Sequence, residues 1–237
     1  SERPGCRKCL ISVWEKDGNR KMLKLNKLYL MDCMEGMKQF PDKYFELAVV
    51  DPPYGIDKAF SQTSRIRKYG QTLTANDYKP SSEYFAELNR VSRNQIIWGY
   101  NHLSDMLPSC KEFIFWYKHQ PVSTYSAGEL AWTSFKKTAK CFDYLYFGNV
   151  NAEPDRCHPM QKPVALYKWL LSQYAKPGDK ILDTHVGSAS SLIACHRMGF
   201  DFVGFEIDPD YYRMASERLE AERSQIRWED VAGRNAV

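Results

Sequence analysis

No apolar run in this chain reaches the roughly 18 residues that a membrane-crossing helix needs, so no transmembrane segment is expected. The opening residues, SERPGCRKCLISVWEKDG, lack an apolar core and a small-residue cleavage site, so no secretory signal is expected either. No charge of one sign dominates. The 33 Lys and Arg exceed the 29 Asp and Glu by four, which permits a polyanionic partner without demonstrating one. Repeats and low-complexity tracts are absent, and 43% hydrophobic against 26% charged residues excludes wholesale disorder. A disulfide framework is lacking too. The seven cysteines, at positions 6, 9, 33, 110, 141, 157 and 195, are odd in number and scattered, which fits reduced thiols in the cytoplasm. Cys6-x-x-Cys9 has metal-like spacing, but no second pair follows nearby to complete four zinc ligands. It reads otherwise as part of a solvated tail.

What is present is enough for one domain. The 237 residues bury a full core without staples. The expected organisation is an N-terminal tail over 1–24, a domain over 25–225 and a C-terminal tail over 226–237. Within the domain, apolar β-branched or aromatic runs at 28–31, 47–50, 95–100, 112–117, 129–135 and 142–148 read as strands. Residues 34–40 read as a helical turn, 84–92 and 164–175 as helices, and the polar, basic 56–80 as a long exposed loop. From residue 180 the pattern is strand, helix, strand, helix, with Gly199 as the expected cap of the first helix. That alternation implies an α/β fold: a mostly parallel twisted sheet, helices on both faces, and ligands at the carboxyl ends of the strands.

Two segments carry chemistry. Asp183-Thr-His-Val-Gly-Ser-Ala-Ser-Ser191 follows a strand and opens a helix, so small residues and a helix N-terminus meet a ligand together. The next strand ends in Glu206-Ile-Asp208, where a carboxylate can accept two ribose hydroxyls. A packed turn followed by a helix-capping acid is the plainer alternative. The second segment, Asp51-Pro-Pro-Tyr54-Gly55, ends a buried strand. Its prolines have no N–H, so a carboxylate and bare carbonyls form a cluster of acceptors beside an aromatic ring. Such a cluster suits a planar group bearing an amine, such as the edge of adenine or cytosine. A proline-rich turn with a core tyrosine is the plainer alternative.

These segments carry a resemblance. ELAVVDPPYG resembles the catalytic motif of amino-directed DNA methyltransferases that use S-adenosylmethionine. GDKILDTHVGSASSLIACHRMGFDFVGFEIDPDYY resembles their cofactor motif and the acidic motif after it. HPMQKPVALYKWLL resembles the motif that leads into it, and LYLMDCMEGM the segment that closes over the cofactor adenine. The order, catalytic motif first, is that of the β class, and the resemblance covers about 25–222. It departs at His185 and Ala189, where the usual pattern has Phe and a second Gly; the DTHVGSAS variant looks like that of small phage or prophage methylases.

The resemblance implies a Rossmann-like methyltransferase fold with a short recognition insertion. It assigns Asp183, Gly187 and Ser188, with the ring of His185, to the methionine part of the cofactor, and Glu206 to the ribose. Asp32 and the Cys33 backbone would face the adenine, and His158, Gln161 and Lys162 the methionine carboxylate. Asp51 and the Pro52 carbonyl, in the turn shaped by Pro53, would accept the two N–H bonds of the target amine, while Tyr54 stacks on the base. The sulfonium methyl is already activated, so no metal is required. The target base must leave its double-stranded DNA to reach such a pocket. Lys58, Arg65, Arg67 and Lys68, with Lys136, Lys137 and Lys140, are candidate phosphate contacts, or a solvated face. Adenine-N6 is the first choice of target and cytosine-N4 the second. A protein-glutamine methyltransferase would show Asn before PPY and the cofactor motif first, and a non-catalytic binding module would lack Glu206 or an intact DPPY. The resemblance also admits a homodimer, and leaves open a restriction–modification or an orphan role.

Overall fold

The computed structural model describes residues 22–55, 78–121, 126–146, 151 and 161–225. Residues 1–21 of the expected N-terminal tail, with the zinc-like Cys6 and Cys9, the expected C-terminal tail and most of the expected 56–80 loop therefore lie outside the described residues. So do Lys58, Arg65, Arg67, Lys68 and His158.

In chain order the elements are β1 (Lys27–Leu30), α1 (Cys33–Met37), β2 (Phe45–Val50), α2 (Ser82–Val91), β3 (Ser92–Trp98) and α3 (Tyr100–Leu103). They continue with β4 (Ile114–Tyr117), β5 (Gly128–Thr133), β6 (Lys140–Asp143), α4 (Val164–Tyr174), β7 (Lys180–Asp183), α5 (Ser190–Met198), β8 (Asp201–Glu206) and α6 (Pro209–Ser224). Among the described residues the strands form one sheet in the order β1-β8-β7-β2-β3-β5-β4-β6. Only the pairings of β5, with β3 and with β4, are antiparallel. The sheet is thus mostly parallel, as the alternating pattern predicts.

The apolar runs follow from burial on both faces. Leu47, Val49, Ile96, Trp98, Ile181 and Phe202 point to one side, where Leu166 and Leu170 of α4, Ile193 of α5 and Leu219 of α6 meet them. Their neighbours Ala48, Val50, Ile97, Leu182, Val203 and Phe205 point to the other, against Met37 of α1, Leu88 of α2 and Leu103 of α3. A polar alternation would have left one face wet.

Helix ends are set locally. The Asp208 side chain accepts from the backbone N–H groups of Asp210 and Tyr211, and Pro209 fills the first position of α6. Gly199 ends α5 at φ 73°, as expected for a left-handed cap. The strand expected over 95–100 instead stops at Trp98. Gly99 turns there at φ 78° and α3 begins; only glycine fits, since a side chain at residue 99 would sit 2.0 Å from the Tyr54 ring. The strand expected over 142–148 is shorter and earlier: β6 ends at Asp143, after which the Tyr144 carbonyl accepts from the Trp116 indole at 3.1 Å.

Candidate active site

β2 and β7 are neighbours, with Leu47 opposite Ile181, yet β7 leads on to β8 on one side and β2 to β3 on the other. The strand order reverses between them, and such a switch point opens a crevice at the carboxyl ends. Asp51 follows β2, Asp183 ends β7, Glu206 ends β8, and Asp32 lies just beyond β1. Parallel register puts all four at the same edge of the sheet.

On the β7–β8 side, Glu206 is 9% exposed. Its carboxylate accepts from the backbone N–H of Gly187 at 2.9 Å and of Asp208 at 3.0 Å. Burial raises its pKa, and these N–H groups oppose the rise. Asp208, not Glu206, caps the helix that follows. Gly187 lies at φ 54°, and a Cβ there would meet nothing within 4 Å, so open space adjoins the turn beside Glu206. Asp183 is 3% exposed and accepts from the His185 backbone N–H at 3.0 Å and from the Ser191 hydroxyl. Burial pushes its carboxyl up to about 7 against those two donors. Ala189 is left-handed at φ 62°, which an L-residue adopts at a cost of about 1–2 kcal/mol.

His185 is neutral over the ordinary range, because burial lowers its pKa to about 4. Its Nδ1 lies 2.9 Å from the Thr184 hydroxyl, which meets the Tyr84 hydroxyl at 2.7 Å, and the Tyr84 ring stands edge-on to the imidazole. Ser188 is buried. Its carbonyl accepts from Arg218 of α6 at 2.7 Å, and the same guanidinium reaches the Ser190 hydroxyl at 2.9 Å. Across the β1 edge, Asp32 caps α1 by accepting from the Met34 N–H at 2.7 Å. Burial, then the Asp32 charge, push the half-buried Cys33 thiol up to about 12.

On the β2 side, Pro52 is buried and Asp51 retains 23% exposure. Asp51 Oδ1 accepts from the Tyr54 hydroxyl, and Oδ2 accepts from Lys162 Nζ. The Tyr54 ring stacks on His102 of α3 at 5.2 Å between centroids. Lys162, expected near a methionine carboxylate, pairs with Asp51 and with Glu129, 3.0 Å away. Gln161 is buried next to it. Among the expected phosphate contacts, Lys137 donates to the Gln173 carbonyl at 3.0 Å and lies over the Phe135 and Tyr174 rings, so it is engaged by the fold. Lys136 is exposed.

Sequence reasoning missed Glu129, His102, Arg218 and the Tyr84–Thr184 pair. Glu129 sits in an ordinary strand pattern and His102 in a four-residue helix, neither of which marks a site. Arg218 reads as one more charge on a solvated helix; the signal that could have found it is its place on one helical face with Ala215, Leu219 and Glu222. Among the described residues no cluster of three or more His, Cys, Asp or Glu is arranged to hold a metal ion.

A family model described as a DNA methylase matches residues 82–217. The chain is 25% identical to the type II methyltransferase M.HpaI of Haemophilus parainfluenzae over 83% of its own length and 74% of that protein. It is 23% identical to the type II methyltransferase M.BglII of Bacillus subtilis over 84% of its length and 70% of that protein. Among solved structures it resembles the M1.HpyAVI–SAM complex, with a TM-score of 0.54 at 19% identity over 81% of this chain and 98% of that one. It also resembles PvuII DNA methyltransferase, a cytosine-N4-specific enzyme, with a TM-score of 0.58 at 13% identity over 85% of this chain and 91% of that one.

Proposed function

Since the chain belongs to the DNA methylase family, whose model spans more than half of it, we propose that it transfers a methyl group from S-adenosylmethionine to the exocyclic N6 of an adenine flipped out of double-stranded DNA. The observation that carries this reading is the meeting, at one switch point, of the Asp51-Pro52-Pro53 turn, whose prolines carry no N–H, with the buried carboxylates of Asp183 and Glu206.

The residues fit the cofactor. Glu206 is held by two backbone N–H groups with lone pairs to spare for ribose hydroxyls, and open space lies beside Gly187. Asp183 is the acidic partner for the methionine ammonium. Gly187, Ser188 and His185 line that end, while Asp32 and Cys33 border the adenine. Gln161 and Lys162 are assigned in this reading to the border between cofactor and target, and His158 to the methionine carboxylate. When bound, S-adenosylmethionine supplies a methyl already activated by the sulfonium.

The chain's own work is then orientation and charge. The amine of adenine is a poor nucleophile because its lone pair is conjugated with the ring. Asp51 and the Pro52 carbonyl accept its two N–H bonds, which favours a tetrahedral nitrogen and stabilises the positive charge that forms on attack. Tyr54, fixed by His102 and by its hydrogen bond to Asp51, is the ring assigned to stack on the base. Pro52 and Pro53 add no backbone N–H of their own to compete for these acceptors.

Transfer of labelled methyl to DNA, RNA and protein, assayed in parallel, tests the substrate class; the expected outcome is transfer to double-stranded DNA alone. Mass spectrometry of the nucleosides separates N6-methyladenine, which is expected, from N4-methylcytosine, whose amine offers the same two donors. Lys58, Arg65, Arg67 and Lys68 are assigned to the DNA phosphates. Removing Arg65, Arg67 and Lys68 together should weaken DNA binding and spare cofactor affinity. The log–log salt slope should become shallower by about one for each phosphate that is no longer neutralised.

A further inference from the structure

Asp51 is the end of a chain of alternating charges. Lys162 Nζ donates to Asp51 Oδ2 and lies 3.0 Å from Glu129 Oε2, while Glu129 Oε1 accepts from Lys118 Nζ. The Lys162 side chain is 6% exposed, and its ammonium lies 5.4 Å from the Trp98 ring centroid. Burial works against the charge of Lys162, but Asp51 and then Glu129 outweigh it and raise its pKa, so it is an ammonium and not a base. Burial likewise opposes the charge on Glu129, and Lys162 and Lys118 prevail, holding it down at about 2.

The topology explains why Glu129 is there. β5 runs against its neighbours, with Ala131 opposite Trp98, so its first residues lie at the edge where the parallel strands finish. A strand of the common direction would carry its first residues to the opposite edge.

A carboxylate has about four lone-pair sites. At Asp51 the Tyr54 hydroxyl takes one on Oδ1 and Lys162 one on Oδ2, which fixes the group and leaves acceptor capacity on both oxygens. A buried ammonium given to Asp51 alone would also neutralise it. Shared between two carboxylates, it divides its donors between Asp51 and Glu129, and with Lys118 on Glu129 the four residues carry no net charge. We propose that Glu129 is a positioning residue for methyl transfer: by sharing Lys162 it fixes the Asp51 carboxylate and keeps the ammonium from pairing with Asp51 alone, so that the carboxylate stays an acceptor for the target amine. This rests on the assignment of Asp51 as the acceptor of that amine.

The test is a double-mutant cycle on the full chain with S-adenosylmethionine and DNA. Glu129→Gln keeps the shape and removes the charge. Its single-turnover rate at saturating cofactor and DNA should fall about 10- to 100-fold, the size expected when a reacting group is misplaced rather than deleted. Cofactor affinity should stay within about twofold of wild type. In a Lys162→Met background the same substitution should change the rate less than about twofold, because Glu129 then has nothing to act through. If Glu129→Gln does not fold, Glu129→Asp carries the test, since it withdraws the charge by one methylene and should lower the rate with cofactor affinity intact. A wild-type rate in the tested variant, an undiminished loss in the Lys162→Met background, or cofactor affinity falling in step with the rate would overturn the proposal. A wild-type chain that methylates no DNA would overturn the Asp51 assignment as well, and so tells the two failures apart.

Discussion

The two sides of the crevice are built in different ways. The β7–β8 side comes from one β–α–β unit: Asp183, Gly187 and Glu206 follow one another along the chain, and backbone N–H groups of the same unit hold both carboxylates. The β2 side is assembled from distant pieces. Asp51 and Lys162 stand 111 residues apart, with Glu129 between them in sequence, and side chains make the contacts. One side is a local backbone device, the other a tertiary charge cluster. Backbone contacts with a ligand depend on the fold of a short unit, so a single substitution there should alter affinity. Side-chain charges facing the reacting amine should alter rate.

The largest expected effect tests that division directly. Asp51→Ala should lower transfer at least about 1000-fold, since it removes the acceptor that stabilises the forming charge. Its cofactor dissociation constant by calorimetry should stay near wild type. A matching loss of affinity would erase the distinction between the two sides.

Glu206→Ala should do the reverse. Two charge-assisted hydrogen bonds from ribose hydroxyls, at roughly 1.5–3 kcal/mol each, imply cofactor binding weakened about 100-fold or more. The rate at saturating cofactor should fall far less than in Asp51→Ala. An unchanged dissociation constant would mean that Glu206 merely ties the Gly187 turn to β8.

A smaller effect follows from Asp183, whose carboxyl burial pushes up to about 7. Its ordinary value is near 4, so the folded protein favours the protonated form. That contribution to stability is complete below about pH 4 and disappears as pH rises through about 7. Asp183→Asn should therefore melt higher than wild type at pH 8, with the advantage shrinking towards pH 4. Binding of the methionine ammonium needs the ionised form, so wild-type cofactor affinity should fall by up to about tenfold per pH unit below 7, and Asp183→Asn should lose this dependence.

The smallest effect sharpens the backbone side. Ala189→Gly relieves a left-handed alanine and should stabilise the protein by about 1 kcal/mol, read as a higher denaturant midpoint with an unchanged slope. A destabilised variant would mean that its buried methyl contributes more than its backbone costs.

Much of this molecule is legible in the sequence because the signals are local. The β–α–β unit shows itself in apolar runs, in the small residues of DTHVGSAS and in the Gly199 cap. The Asp51-Pro52-Pro53-Tyr54 turn is visible because two prolines cannot continue a strand. The ends of β3 and β6 are less legible. β3 ends at the left-handed Gly99, which lies against the Tyr54 ring, a neighbour that no local pattern names.

The sequence by itself determined a mostly parallel α/β sheet and the carboxylates at its strand ends, because periodicity and turn chemistry act over a few residues. Only the tertiary structure decided that Lys162 meets Asp51, that Glu129 shares it, and that Arg218 braces the Ser188 turn. Such pairings have no sequence signature. They depend on which strands become neighbours and on the reversed direction of β5, and once buried each of these charges must have a partner wherever the fold brings one.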